Sequence, residues 1–176
     1  MPRLRRVPRA EATPEVQLVY ERLFQGRDPV AEPGTAAGTP GNWWTVFALS
    51  PDVLAHAQAG FGLLSSKARA MTPYQRELAL TRTGYCAGSQ FVFSQHSKAA
   101  RAAKVPEEKL AAIPNWASAD VFDAQDRAIL AYTDDLVLAD GRVPEATFAR
   151  LKEHLSDAAI LELSYAIGTY RLHAMV

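Results

Sequence analysis

A chain of 176 residues is long enough to bury a sizeable core, and 48% apolar against 22% charged residues excludes a disordered protein. Its 19 lysines and arginines balance 19 aspartates and glutamates, which excludes a global positive field directed at nucleic acid or an anionic membrane. A single cysteine, Cys86, excludes an intrachain disulfide framework, and no apolar run reaches the roughly 18 residues of a membrane span.

Arg3, Arg5 and Arg6 make a basic N-terminal arm, read as a solvated or subunit-crossing tail. No apolar stretch follows it, so it lacks the form of a secretory signal, and a cytoplasmic location is the expectation. The first helix is predicted over Pro14 to Phe24, with Thr13 as N-cap, proline at the first position and Val16, Val19, Tyr20 and Leu23 at helical spacing. Gln25 to Gly41 contains four glycines and three prolines and reads as a long loop. An aromatic stretch follows at Asn42 to Ala48. Ser50 and Pro51 then open a helix to about Ser66, with Val53, Leu54, Ala57, Phe61 and Leu64 on one face.

Thr72-Pro73-Tyr74-Gln75 is a capping box that starts a helix to about Tyr85, and Gly84 and Gly88 mark its end or a tight crossing. Further helices are predicted over Ser89 to Ala103, Pro106 to Ile113, Asp123 to Ala139, Pro144 to Leu155 and Ser156 to Met175. No stretch alternates as a strand would, so the predicted fold is all-α.

Candidate chemistry concentrates between Thr72 and Ala103. Glu77, Thr81 and Tyr85 lie four apart on one helix face, and Ser89, Val92, Phe93 and His96 share a face of the next helix. A carboxylate beside an imidazole in apolar surroundings is a tunable proton-transfer pair. The same spacing also suits a buried structural hydrogen bond between neighbouring helices.

These residues resemble the carboxymuconolactone decarboxylase superfamily, which includes the alkylhydroperoxidases. Its shared core has a glutamate twelve residues before a C-x-x-C-x-x-x-H run. Counted back from His96, the cysteine positions fall on Ser89 and Val92, and twelve residues before Ser89 stands Glu77. Met71 to Leu78 looks like the family's motif-bearing helix start and Ala102 to Glu108 like its turn into the next short helix, while Asp126 to Leu130 and Gly168 to Arg171 look like the later helices of a cysteine-free branch. The resemblance implies an AhpD-like helical domain over residues 42–176, preceded at 1–41 by the arm, the first helix and the Gly/Pro-rich loop.

It further implies a homo-oligomer (dimer, trimer or hexamer) acting on a small-molecule substrate without a cofactor, while the residues themselves predict no metal site and no nucleic-acid or membrane partner. The dithiol cycle of the peroxidases has no electron source when serine and valine replace the cysteines. The decarboxylase side of the family needs no cysteine. It implies His96 as proton donor or shuttle and Glu77 as its orienting partner, working on a carboxylated lactone or unsaturated acid. Arg82 or Arg171 is then the candidate for gripping a substrate carboxylate, and Tyr85 and Ser89 for donating to a carbonyl. Trp43 and Trp44 are candidates for lining a planar substrate's pocket, or for filling core or a subunit interface. His56 and His154 read as solvated, and His173, three residues after Tyr170, as facing inward with it. Two other readings stay open: a non-catalytic binding or assembly member of the fold, and a weak one-cysteine peroxidase through Cys86.

Overall fold

The computed structural model describes residues 2–175, and among them every regular element is helical. The chain forms two compact units, one ending at Ser65 and the other starting at Ser66.

The first unit holds α1 (Pro14–Phe24), α2 (Asn42–Phe47) and α3 (Pro51–Leu64). Proline occupies the first turn of α1 and α3, where its missing N–H costs no helical hydrogen bond. Val7, Val16, Val19, Tyr20, Phe24, Phe47, Leu54 and Ala57 form the core. The buried face of α3 is Leu54, Ala57, Gly60 and Leu64; Val53, expected on it, is half exposed. The N-terminal arm, with Arg3 and Arg5 exposed, is anchored just beyond its arginines. Val7 N–H donates to the Thr45 carbonyl at 2.9 Å, the Tyr20 hydroxyl donates to the Val7 carbonyl at 2.8 Å, and Val7 is buried. Within the long loop, Asp28 accepts from the N–H groups of Arg9, Val30 and Ala31, which orders a segment otherwise rich in breakers.

The second unit contains α4 (Pro73–Cys86), α5 (Gln90–Ala102), α6 (Glu107–Ala112), α7 (Ala124–Leu138), α8 (Glu145–Lys152) and α9 (Asp157–Met175). The helix α4 packs on α5, α7 and α9, and every residue from Glu77 to Gly84 is buried. It is the axis of the unit. The capping box is present: Gln75 N–H donates to Thr72 Oγ1, and Thr72 N–H to Gln75 Oε1. Polar side chains along α4 are satisfied locally, with Thr81 donating to the Glu77 carbonyl and Thr83 to the Ala79 carbonyl. Leu78, Leu80, Ile113, Ile129, Leu130, Leu151, Leu163 and Ile167 are nearly or fully inaccessible, each contributing about 1.5–3 kcal/mol of burial.

A three-residue turn joins α4 to α5, with Gly88 at φ +64°, a left-handed conformation that glycine adopts without cost. The antiparallel pair is in closest contact at Gly84. A methyl group built there would lie 2.5 Å from the Phe93 backbone nitrogen and 2.8 Å from its Cα. Gly84 thus sets the helix spacing. Gly84→Ala is expected to force the pair apart and to cost about 1–3 kcal/mol, measured as a lower midpoint in urea unfolding. An unchanged midpoint would show that the pair yields freely at this point.

Candidate active site

Glu77 lies in the second turn of α4 and His96 in the second turn of α5, and the turn between the helices brings them face to face. His96 Nδ1 is 2.7 Å from Glu77 Oε2, and both side chains are buried. Glu77 Oε1 accepts from Arg76 Nε, also at 2.7 Å. Both carboxylate oxygens are therefore held by donors. Burial pushes the Glu77 carboxyl up, but the hydrogen bond and charge of His96, followed by those of Arg76, outweigh it and hold the group below its ordinary 4.5. With Nδ1 directed at Glu77, Nε2 is the ring nitrogen left to exchange protons.

Helix α9 adds two aromatic groups. The Tyr170 ring meets His96 edge-on, with centroids 4.1 Å apart, and His173 lies beyond it at 5.5 Å from Tyr170. Burial and then the Glu77 charge push the Tyr170 phenol up to about 12, so it stays protonated at neutral pH. Burial and then the neighbouring His96 charge push the His173 imidazole below 6.5. The inward direction expected for Tyr170 and His173 is what the geometry gives. Their approach to His96 has no sequence signal beyond that three-residue spacing, because α9 begins more than sixty residues after His96. Arg76 had no signal except adjacency to Glu77.

Arg82 is placed elsewhere. Its Nε and Nη2 donate to the two oxygens of Asp134 at 2.7 and 2.9 Å, and Nη1 donates to the carbonyls of Ile113 and Pro114. A guanidinium so engaged is a strut between α4, α7 and the segment after α6, not an open clamp for a substrate carboxylate. Arg171 is likewise engaged, with Asp140 and the Leu136 carbonyl. Tyr85 is 45% exposed at the end of α4, with the Arg82 guanidinium 5.1 Å over its ring. Ser89 caps α5, its Oγ accepting from Val92 N–H. Trp43 stacks on Phe47 at 3.9 Å, and both Trp43 and Trp44 pack on Phe61, all within the first unit.

The Arg82 cluster also contains Cys86, whose Sγ is 3.3 Å from Asp134 Oδ1. Trp116 Nε1 donates to the other oxygen of the same carboxylate. Burial, reinforced by the Asp134 charge and opposed by Arg82, pushes the thiol up to about 12. The reactive form of a cysteine is the thiolate, which this environment disfavours at Cys86. A separate buried knot joins Lys109 to Asp126 and Tyr74 and ties α6 to α7 and α4. Among the described residues no cluster of three or more His, Cys, Asp or Glu side chains could hold a metal, and no helix is long and apolar enough to cross a membrane.

Residues 51–135 match the carboxymuconolactone decarboxylase family. The matched stretch includes both Glu77 and His96, so the chain resembles that superfamily where the candidate pair stands. Solved structures share its fold. A cysteine-to-alanine variant of the debrominase Bmp8 in complex with 2,3,4-tribromopyrrole superposes with a TM-score of 0.74 at 16% identity, over 99% of this chain and 87% of that one. An uncharacterized peroxidase-related protein from Ralstonia eutropha JMP134, with an alkylhydroperoxidase AhpD core, gives 0.70 at 20% identity, over 97% and 88%. ATU0492, a protein of unknown function from Agrobacterium tumefaciens, gives 0.67 at 23% identity, over 73% and 87%. No curated protein matches the chain.

Two expectations follow from the geometry. The folded Glu77 carboxyl lies below 4.5, so its stabilising contribution is fully present above about pH 4.5 and is lost as pH falls through the lower folded value. The stability difference between wild type and Glu77→Gln, from urea unfolding, should therefore shrink as pH is lowered from 6 to 3; a constant difference would refute the charged pair. For Cys86, maleimide labelling at pH 8 should be at least about tenfold slower in the folded protein than in urea, and Asp134→Asn should speed it. Equal rates in folded and unfolded protein would show an accessible, ordinary thiol.

Proposed function

We propose that this protein is a cofactor-independent proton-transfer enzyme that decarboxylates or isomerises a small carboxylated lactone or unsaturated acid. The observation that carries the reading is the buried hydrogen bond between Glu77 Oε2 and His96 Nδ1, at the family's spacing, where the two redox positions are Ser89 and Val92. A held carboxylate fixes the imidazole's tautomer and orientation and stabilises its protonated form.

In the decarboxylation, the bond from carbon to carboxylate breaks and its electron pair enters the conjugated system, leaving a dienolate and carbon dioxide. His96, protonated at Nε2, then delivers that proton to carbon, and the neutral imidazole keeps its Nδ1 proton on Glu77. Glu77 acts as the orienting group, because both its oxygens are occupied by donors. Tyr170, protonated and set against the His96 ring, walls the site with an aromatic surface that favours an unsaturated substrate. Ser89 lies seven residues before His96 on one helix face, about 10 Å along α5, the span of one small molecule. Its Oγ is used as an acceptor by Val92, so its proton can go to a substrate carbonyl.

The Cys86 peroxidase reading has the weaker support, since the thiol lies in the Asp134 cluster and is held protonated. The non-catalytic reading rests on the same empty cysteine positions. A screen of carboxylated lactones and unsaturated acids for carbon dioxide release or double-bond migration separates the two. With a substrate in hand, His96→Ala is expected to lower kcat by about 100-fold or more and Glu77→Gln by a smaller factor, with Cys86→Ser near wild type. Turnover unchanged in both the His96 and Glu77 variants would overturn the assignment, and ligand binding without turnover would favour the non-catalytic reading.

A further inference from the structure

The segment between α1 and α2, residues 25–41, contains no helix or strand, and it is longer than a plain connection needs to be. It is nevertheless closed and ordered. Its two ends meet, since a methyl group built on Gly41 would lie 2.7 Å from the Phe24 ring. Ala36 N–H donates to the Leu23 carbonyl and Thr35 N–H to the Thr39 carbonyl, both at 2.8 Å. Compact loops closed at the base and packed by their own residues are frequent binding elements. This one borders a cavity of about 480 Å³, within the size range of small-molecule sites. Arg27, Thr35, Thr39 and Asn42 supply its polar groups, Pro33 and Pro40 its apolar walls, and glycines the rest. No acidic side chain among the described residues lines it.

Arg27 sets the chemistry of the cavity. A guanidinium carries five N–H donors in a fixed plane. Nε donates to the Phe24 carbonyl at 3.2 Å and Nη2 to the Gly34 carbonyl at 3.0 Å, so two backbone oxygens orient the plane. Nη1 bonds to none of the described residues, and with Nη2 it can still present the pair of N–H groups that a carboxylate accepts. Both carbonyl partners are neutral. The acids beside Arg27 in the fold are committed elsewhere: Asp28 accepts from the N–H groups of Arg9, Val30 and Ala31, and Glu21 pairs with Arg9.

The two threonines add a donor. Their hydroxyl oxygens are 2.7 Å apart, and Thr35 Oγ1 also accepts from Thr39 N–H. Two hydroxyls own two protons and the bond between them uses one, so a second proton remains to give. Asn42 is exposed, and its Oδ1 accepts from Arg6 Nη1 at 3.4 Å. That contact brings a second positive charge to the same side and leaves the Asn42 amide NH2 group to donate.

We propose that the loop between α1 and α2 is a binding site for a small organic carboxylate, its acid group on Arg27 and its carbon body against Pro33 and Pro40. Because the guanidinium is already oriented by Phe24 and Gly34, little side-chain freedom is lost when the acid binds. The cavity belongs to the first unit, whereas Glu77 and His96 belong to the second, so the inference stands apart from the proton-transfer reading.

The test titrates the full chain with sodium benzoate and follows the backbone amide resonances by NMR. The amides of residues 34–42 should shift and saturate with a dissociation constant of about 1–10 mM or tighter, and the neutral ester methyl benzoate should leave them in place. Arg27→Gln should weaken benzoate binding by at least about tenfold. That substitution also releases two carbonyls, so Asn42→Asp serves as a second variant. Residue 42 is exposed in the first turn of α2, where an acid suits the helix, and the added negative charge should weaken binding by at least about threefold. Circular dichroism checks that both variants keep the wild-type helix content. No saturable shift at residues 34–42, shifts confined to the second unit, equal shifts with the ester, or an Asn42→Asp variant that binds benzoate as tightly as the wild type would each overturn the site.

Discussion

The close passage of α4 against α5 at Gly84 is the constraint from which the candidate site follows. Because no side chain separates the Gly84 backbone from that of Phe93, the two helices lie near enough for short bridges between their inner faces. Two turns back along α4 stands Glu77, and one turn on from Phe93 along α5 stands His96. Glutamate and histidine side chains are long enough to bridge two helices packed this closely. Here they share a hydrogen bond of 2.7 Å in a place from which water is largely excluded. The low local polarity strengthens that bond and makes an unpaired charge costly, so each partner depends on the other and on Arg76.

The burial of α4 has a second consequence. A helix enclosed on all sides cannot place a charged residue at random, and the two it carries within the buried stretch, Glu77 and Arg82, are each answered by a designated partner. They lead to different chemistry. Glu77 meets an imidazole, whose second ring nitrogen is not the one facing the carboxylate. Arg82 meets a carboxylate and two carbonyls, a permanently charged group with fixed geometry, suited to holding helices in place. Cys86, drawn into the second cluster, inherits its character: the Asp134 charge that neutralises Arg82 also discourages a thiolate.

How much of this was legible in the sequence depended on the range of each interaction. Helix starts were written locally, in Thr13-Pro14, Ser50-Pro51 and Thr72-Pro73-Tyr74-Gln75, and the structure begins its helices there. The Glu77–His96 pair could be read because one short turn links the two helices, so register alone brings the residues together. The Arg82–Asp134 pair spans 52 residues and several turns, and no spacing rule reaches across them. An arginine next to a candidate site therefore looked like a substrate clamp. Tyr170 and His173 were missed as neighbours of His96 for the same reason. Val53 was misplaced because a helix with apolar residues at 53, 54, 57, 61 and 64 fits two overlapping faces, and only packing decides between them. The arm at residues 3–6 read as solvated by its charge, and Arg3 and Arg5 are exposed; what its charge could not show is that the chain is anchored immediately afterwards by the buried Val7.

The last helix meets the same limit. Its sequence has almost no amphipathic contrast, which in isolation says only that it is helical and apolar. Packing assigns Ala159, Ile160, Leu163, Ala166 and Ile167 to the core and leaves Leu161, Tyr165, Leu172 and Met175 exposed. Core packing could not have selected the exposed set, because those side chains touch little of their own chain. Exposed leucine and methionine on a protein with no net charge invite unspecific association.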